Sequence, residues 1–371
     1  MSLLSQLKLN NFRNYPSKNF VFESKITAIF GKNGAGKTNI LEAISLLNKG
    51  SGLKGADLRE MINFDALKNN PIHHNFSIYG KIDSHPQIEN VGTSYLALEN
   101  KRIFQVNNDE SNRPKTLPTL IWLTPQMDSL FCSSKTNRRK FLDKIVCDIN
   151  PSHNSRINAY NHEIRERINL LQNFSGQDDR WINIIERKIA ELGIAIASAR
   201  NEAIDYLNQS ILQGSDNFTK ARIEIIGEAE EITRNNKSLI AEEIFTEKLK
   251  ENRGLDAKSN RTLFGIHRSD FTAILLGEKQ IEAKSCSTGE QKSILIALTF
   301  ARIRLFSMLN LPMAVLLLDE IVSHLDDQRR KSLLEEVASL NCQSFLTATN
   351  KNFYQDLFHF DNEIVSFLEL N

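Results

Sequence analysis

The chain has 371 residues, of which 41% are hydrophobic and 25% charged, so it can bury a core in two domains. Its 46 basic and 45 acidic side chains leave a net charge of +1, which argues against nucleic-acid binding through bulk positive charge. No apolar run approaches the roughly 18 residues of a membrane span, and no cleavable signal pattern precedes the first predicted strand. The 4 cysteines lack C-x-x-C spacing. We therefore expect a cytoplasmic protein with reduced thiols, no zinc site and no membrane partner.

The N-terminal part of the chain is predicted to form strands around Leu4–Leu9 and at Ile26–Phe30. The second strand runs directly into a complete phosphate-loop motif: Gly31, Lys32, Asn33, Gly34, Ala35, Gly36, Lys37 and Thr38. Glycines let successive backbone N–H groups surround phosphate oxygens, and the helix that follows adds the positive end of its dipole. We predict a nucleoside triphosphate here, with Lys37 on its phosphates and the Thr38 hydroxyl on Mg²⁺.

A β-rich stretch and then a helical stretch follow the phosphate loop. Residues with high β-propensity predict an antiparallel meander at Phe76–Ile82, Ser94–Leu98 and Arg102–Val106. From about residue 126 the apolar spacing changes to three and four residues, as at Ile157, Tyr160, Ile164, Ile168 and Leu171. A second apolar stripe from Trp181 to Ile211 predicts a longer helix. With Phe174–Asp179 as the connecting loop, we expect an antiparallel helical pair.

A second candidate phosphate-binding element opens a long apolar-periodic helix at Ser287, Thr288, Gly289 and Glu290. Ser287 and Glu290 fit a capping box, which by itself would be an ordinary helix start. Because this N-terminus contains glycine, it can also approach an anion closely. The element therefore allows both interpretations.

The apolar run Val315–Leu318 predicts a central parallel strand that is buried on both faces. It ends in Asp319 and Glu320, which alone could be two solvated acids at a strand end. Downstream of a phosphate loop, this position would bring Asp319 to the Mg²⁺ ion and Glu320 to the γ-phosphate. We predict that Lys37 and Glu320 are catalytic, with Glu320 as the general base that activates water.

The order of these motifs resembles that of the ABC-type ATPase heads. In that family Ser287, Thr288 and Gly289 would belong to the signature loop, which Glu290 continues, and Asp326 matches the dimer-contact loop. The resemblance implies an ATP-bound homodimer, because the signature of one subunit faces the γ-phosphate held by the other. ATP and Mg²⁺ are the implied ligands.

Further short motifs occur in order at Leu7–Tyr15, Leu123–Asp128, Arg138–Asp143, Gly265–Asp270 and Phe345–Asn350. Together they resemble the RecF family of bacterial recombination-mediator ATPases, in the SMC/Rad50 branch. The resemblance implies that Arg13 and Asn14 lie near the nucleotide base. It also implies an α/β fold, an ABC-type P-loop ATPase head with a mixed sheet and helices. Residues 1–125 and 262–371 would form the head, and residues 126–261 would form an inserted, mostly helical lobe.

Two elements of ABC-type ATPases stay unassigned. No histidine follows the last predicted strand, where Thr347 and Thr349 are found instead, so the sequence does not identify a switch residue. Gln126 follows the apolar strand Leu120–Leu123 and is either the Q-loop glutamine or an ordinary surface residue.

The resemblance implies a weak, DNA-dependent ATPase that dimerises on ATP and binds gapped or junction DNA. With RecO- and RecR-like partners it would help to load the RecA recombinase in DNA repair, replication restart and the SOS response, and hydrolysis would release it. Two other classes remain open. A transporter nucleotide-binding subunit is disfavoured by the long segment between phosphate loop and signature, and a small-molecule P-loop kinase has no use for a signature loop.

Candidate DNA-contacting residues occur in two groups, each of which could equally be a solvated face: Lys49, Lys54, Arg59, Arg138, Arg139, Lys140 and Lys144. Charges of alternating sign in the helical stretch instead predict surface ion pairs between neighbouring turns, as at Glu163, Arg167, Glu186 and Lys188. Because a near-neutral chain should bind DNA weakly, we expect ATP-driven dimerisation to bring two modest patches onto one duplex.

Overall fold

A computed structural model describes residues 4–48, 50–63, 75–84, 87–107, 109–110, 118–172, 179–214, 219–277 and 280–370. Lys49 lies outside these ranges. So does the predicted connecting loop up to residue 178, whereas its last residue, Asp179, begins a helix. Within the described ranges, no helix combines the length and the apolar character needed to cross a membrane.

The strands are numbered in chain order. They are β1 (Leu4–Phe12), β2 (Tyr15–Val21), β3 (Ile26–Gly31), β4 (Phe76–Ser84), β5 (Gln87–Leu96), β6 (Lys101–Val106), β7 (Asp109–Glu110), β8 (Leu120–Leu123), β9 (Ala221–Ile226), β10 (Asp270–Leu275), β11 (Ile281–Glu282), β12 (Ala314–Leu318), β13 (Cys342–Ala348) and β14 (Val365–Leu370).

The α-helices follow the same convention. They are α1 (Lys37–Leu46), α2 (Lys135–Ile149), α3 (His153–Gln172), α4 (Asp179–Leu212), α5 (Glu228–Asn235), α6 (Ser238–Glu251), α7 (Arg253–Ser259), α8 (Thr288–Met308) and α9 (Asp327–Ser339).

The chain divides into two compact units. The first combines Met1–Met127 with Phe306–Asn371, and the second is Asp128–Leu305. The first boundary lies close to the predicted one at 125, but the second differs, because residues 262–305 belong to the second unit. There β10 pairs antiparallel with β9, and the Ser210 hydroxyl on α4 donates to the Ala301 carbonyl on α8 at 3.0 Å.

A parallel sheet forms the centre of the first unit. Its strand order is β14-β3-β13-β12-β8, and every neighbouring pair is parallel. Strands β12 and β13 are buried along their whole length, as expected for central strands covered on both faces. Because all five strands of this sheet point the same way, the loops after β3, β12, β13 and β8 emerge at one edge.

An antiparallel sheet with the order β2-β1-β4-β5-β6-β7 lies in the same unit. It contains the predicted meander, since β4 pairs with β5 and β5 with β6. Apolar residues of β1, β4 and α1 join those of the parallel sheet in one core, and α1 buries Ile40, Leu41 and Ile44. The buried Gln343 side chain exchanges two hydrogen bonds with the backbone of Leu4, at 2.7 and 3.0 Å. This pair ties β13 to β1.

The second unit contains the expected pair of antiparallel helices, α3 and α4. Arg167 pairs with Glu186 at 3.0 Å, and Glu163 pairs with Lys188 at 2.5 Å. Because the earlier residue of α3 meets the later residue of α4, the helices run in opposite directions. The unit also contains a three-stranded sheet with the order β11-β10-β9, in which β10 and β11 pair antiparallel.

An ion cluster is buried between these helices. The Arg167 guanidinium donates to Glu186 at 3.0 Å, to Asp256 at 2.7 Å and to the Leu249 carbonyl at 2.6 Å. Arg167, Glu186 and Asp256 are all 0% exposed. The predicted surface pairs are therefore wrong for Arg167 and Glu186, because each faces a neighbouring helix and not the next turn of its own.

Replacing Arg167 by methionine should lower the free energy of unfolding by about 3 kcal/mol, because Asp256 would stay buried without its cation. Urea unfolding followed by circular dichroism measures this loss. The matched control is Arg165→Met on the exposed side of α3, which should change stability by less than about 0.5 kcal/mol. Equal losses in the two variants would contradict the assignment of the cluster.

Candidate ATP-binding site

The phosphate loop joins β3 to α1 at the carboxyl edge of the parallel sheet. Gly36 has a φ of +95°, and a Cβ atom there would lie 2.6 Å from the Tyr15 hydroxyl oxygen, so glycine is required. No side chain caps the start of α1 in this described segment, so its first N–H groups point towards the loop without a side-chain acceptor. The predicted strand–loop–helix arrangement is present and suits an anion.

The Lys37 side chain lies folded over this loop and is 4% exposed. Its Nζ donates to the carbonyl oxygens of Gly31 at 2.8 Å and Lys32 at 3.0 Å. It also lies 3.8 Å from Glu320 Oε1. An ammonium group held by neutral carbonyls can exchange them for phosphate oxygens, which are stronger acceptors.

Asp319 reaches the phosphate loop from the end of β12. The Thr38 hydroxyl donates to Asp319 Oδ1 at 2.9 Å. Burial raises the pKa of Asp319, and hydrogen bonds from Thr38 and Thr347 act in the opposite direction. A hydroxyl and a carboxylate are the hard oxygen ligands that Mg²⁺ prefers, and a cation would stabilise this buried carboxylate. Thr38 and Asp319 therefore fit a Mg²⁺ site.

Glu320 follows in an uncommon backbone conformation. Its φ is +53°, in the left-handed region that residues other than glycine rarely adopt. The side chain is 33% exposed and faces Lys37, while the backbone N–H donates to Thr347 Oγ1 at 2.9 Å. A carboxylate at this position can reach both the solvent and the phosphate loop, as a general base requires.

The turn between β1 and β2 is anchored on α1. Arg13 donates through Nε and Nη2 to the two carboxylate oxygens of Glu42, both at 2.8 Å, and Glu42 is fully buried. Asn39 donates to Asn14 Oδ1 at 2.9 Å. The structure thus places Arg13 and Asn14 beside the helix that begins at the phosphate loop. Their contact with a nucleotide base stays a prediction.

The signature residues Ser287, Thr288 and Gly289 are exposed at the start of α8. The predicted capping box is present. The Ser287 N–H and hydroxyl both donate to Glu290 Oε2, at 2.8 and 2.7 Å, and the Glu290 N–H donates back to Ser287 Oγ at 3.3 Å. The capping interpretation is therefore correct, and it leaves the loop ordered and open to solvent.

Two more predicted residues lie at loop positions of the first unit. The Asp326 carboxylate caps α9 by accepting the Arg329 N–H at 2.9 Å, and its side chain is 59% exposed. Gln126 is exposed and follows β8, which pairs with β12, so it lies at the same sheet edge as Asp319. Their functions as dimer-contact and Q-loop residues stay predictions.

Several candidate DNA-contacting cations instead make contacts within the protein. Arg138 binds both oxygens of Asp270, at 2.8 and 2.7 Å, and Arg139 donates to the Ser269 carbonyl at 2.7 Å. Burial, and secondarily the charge of a nearby arginine, lowers the pKa of Lys144 to about 7, which weakens it as a phosphate contact. Among the described candidates, exposed ones remain at Lys54, Arg59 and Lys140.

The sequence named one residue of the site, Thr347, without assigning it a role. It is 0% exposed on β13, and its hydroxyl donates to Asp319 Oδ1 at 2.9 Å while it accepts the Glu320 N–H. The only signal in the sequence was its position near the end of the last predicted strand, at the place where a switch histidine was expected.

A parallel sheet with this phosphate loop, an Asp-Glu pair after another strand of the same sheet and a capped signature helix define an ABC-type P-loop ATPase head. Residues 3–120 match the family model described as RecF/RecN/SMC N terminal domain. Over 349 residues the chain is 37% identical to the DNA replication and repair protein RecF of Rickettsia canadensis (strain McKiel), covering 94% of both. The corresponding protein of Rickettsia conorii is 36% identical over the same coverage. The chain belongs to the RecF family.

Solved structures agree. The structure of the recombination mediator protein RecF with ATP, in the RecFOR pathway, has a TM-score of 0.77 and 26% identity, covering 94% of this chain and 93% of that one. A crystal structure of an Smc head bound to the C-winged helix domain of ScpA has a TM-score of 0.55 at 16% identity and shows a shared fold. The predicted fold class and family are therefore confirmed. Similarity along nearly the whole chain leaves the transporter and kinase hypotheses without support.

Proposed function

We propose that this protein is an ATP-dependent, DNA-binding recombination mediator. The observation that carries the proposal is the convergence of Lys37, Thr38, Asp319 and Glu320 at one edge of the parallel sheet. Its relatives are named DNA replication and repair proteins, and the related solved structure is described as a recombination mediator with ATP.

The four side chains divide the chemistry of ATP hydrolysis among them. Lys37 would neutralise charge on the β- and γ-phosphates, and Thr38 and Asp319 would hold Mg²⁺. When bound, Mg²⁺ supplies further positive charge to the phosphate oxygens. Glu320 would accept a proton from the attacking water, because its carboxylate is partly exposed and lies beside the phosphate loop.

The signature loop would complete this site in a second subunit. Ser287, Thr288 and Gly289 are exposed, and the capping box with Glu290 holds Ser287 in place. In an ATP-bound homodimer, the Ser287 hydroxyl would leave Glu290 and donate to the partner's γ-phosphate. Asp326 would contact the opposite subunit beside it. Dimerisation would thus depend on ATP, and hydrolysis would remove the γ-phosphate that holds the two subunits together.

DNA binding would follow from dimerisation. With the net charge at +1, a single patch such as Lys54 and Arg59 supplies little affinity for phosphates. Two patches in a closed dimer would act together on one gapped or junction DNA. In the cytoplasm, RecR- and RecO-like partners would use this clamp to help load the RecA recombinase during repair, replication restart and the SOS response.

ATP binding and DNA-stimulated hydrolysis test the proposal directly. Lys37→Met should weaken ATP binding by about 100-fold or more, because it removes the buried cation from the phosphates. Isothermal titration calorimetry measures binding, and phosphate release with and without gapped duplex measures turnover. The control is Lys18→Met, which makes the same change at an exposed lysine of β2 outside the phosphate loop. The proposal would be contradicted if the wild-type protein bound no ATP, or if its rate of phosphate release did not change when gapped duplex was added.

A further inference from the structure

Thr347 connects the two acidic residues of the site through one hydroxyl group. Its Oγ1 lies 2.9 Å from the Glu320 backbone nitrogen and 2.9 Å from Asp319 Oδ1. A backbone N–H can only donate, so the threonine oxygen accepts from Glu320, and the single hydroxyl proton goes to Asp319. The direction of the hydrogen-bond chain is therefore fixed.

This chain of hydrogen bonds acts where the backbone is strained. Glu320 has a φ of +53°, in the left-handed region where a residue with a Cβ atom is strained. An N–H group that lost its acceptor here would also pay a desolvation penalty. The bond to Thr347 therefore favours the one backbone conformation in which the Glu320 side chain faces Lys37.

Thr347 is well placed for this task. It lies on β13, between β3, which leads into the phosphate loop, and β12, which ends beside Asp319. Asp319 Oδ1 receives one hydrogen bond from Thr38 and one from Thr347, so the carboxylate is held from the start of α1 and from β13. Thr347 is neutral and fully buried, so its own side chain would not take part in the reaction.

We propose that Thr347 is a positioning residue for ATP hydrolysis, which fixes the Glu320 backbone and the Asp319 carboxylate through one hydroxyl group. The proposal rests on the proposed ATPase function. Thr347 thus has a role near the end of the strand after which the sequence contains no switch histidine.

The variant Thr347→Val keeps the shape of the side chain and removes the hydroxyl. We expect kcat to fall by about 10- to 100-fold, because misplacing a general base by about 1 Å has an effect of that size, while the KM for ATP changes less than about 3-fold. Thr347→Ser restores the hydroxyl and should recover most of kcat. The matched control is Thr27→Val on β3, since Thr27 is also buried but its hydroxyl has no partner among the described residues.

A double-mutant cycle separates positioning from a general loss of structure. If Thr347 acts through Glu320, then Thr347→Val should lower the residual turnover of Glu320→Gln by less than about 2-fold. Equal kcat in Thr347→Val and wild type would overturn the proposal, as would a loss that Thr347→Ser fails to restore. If Thr347→Val does not fold, the comparison of Thr347→Ser with Thr347→Ala decides in the same way. A wild type without ATP hydrolysis would instead contradict the proposed function.

Discussion

Glu320→Gln should hydrolyse ATP about 10²- to 10⁴-fold more slowly than the wild type, the usual contribution of a positioned general base. The amide keeps the size of the side chain but does not accept a proton from water. Lys37, Thr38 and Asp319 are unchanged, so the affinity for ATP should stay within about 3-fold. Because the γ-phosphate then persists, the closed dimer should accumulate.

Single-turnover hydrolysis and sedimentation velocity measure these two effects on the same protein. Glu363→Gln is the control, since it makes the same change at an exposed carboxylate just before β14. Normal turnover in Glu320→Gln would show that Glu320 is not the general base. Slow turnover of a protein that stays monomeric with ATP would instead contradict ATP-driven dimerisation.

Ser287→Arg should abolish ATP-dependent dimerisation and lower hydrolysis by about 100-fold or more, because a bulky cation would replace the hydroxyl at the proposed dimer interface. The capping box would lose its Ser287 hydroxyl, and the arginine would occupy the exposed loop. The phosphate loop is formed by other residues, so the monomer should still bind ATP within about 3-fold of the wild-type affinity.

Calorimetry and sedimentation velocity with ATP distinguish these outcomes. Ser155→Arg adds the same side chain to an exposed position of α3 and should dimerise normally. A Ser287→Arg protein that dimerises with ATP as the wild type does would contradict the shared site. One that no longer binds ATP would indicate that the signature loop contributes to the subunit's own site.

The phosphate loop and its strand could be predicted because their signals are local. A short apolar strand, closely spaced glycines and an amphipathic helix each constrain the backbone on their own. The run Val315–Leu318 likewise predicted a buried parallel strand, because an uninterrupted apolar segment fits the centre of a parallel sheet. The structure confirms this strand as β12. The capping box at Ser287 and Glu290 was equally readable, because its two residues are three positions apart.

Long-range polar pairs could not be predicted in this way. Arg167 meets Asp256, and Arg138 meets Asp270, across large sequence separations that no periodic pattern reveals. Alternation with glutamates predicted a solvated helix face for Arg167, and Arg138 was a candidate DNA contact with a solvated face as the alternative. In the structure, each guanidinium is matched by a carboxylate from another element, which permits its burial.

The ends of apolar stripes were also ambiguous. Trp181 was assigned to the buried stripe of α4, but it is 57% exposed, whereas Ile182 is fully buried. Both residues lie in the first turn of that helix, where a shift of one position still fits the spacing of three and four residues. The sequence assigned Thr347 no role for a different reason, because the role proposed for it depends on strand order and on a buried hydrogen bond.

Fluorescence anisotropy of gapped duplex DNA with Glu320→Gln, in ATP and in ADP at two salt concentrations, tests the central claim most directly. An ATP-gated clamp predicts tight, salt-sensitive binding with ATP and weak binding with ADP, because only the closed dimer brings both patches onto one duplex. Equal affinity with ATP, with ADP and without nucleotide would contradict the account. Absence of binding under every condition would contradict it as well, and would indicate that the ATPase head acts on a partner other than DNA.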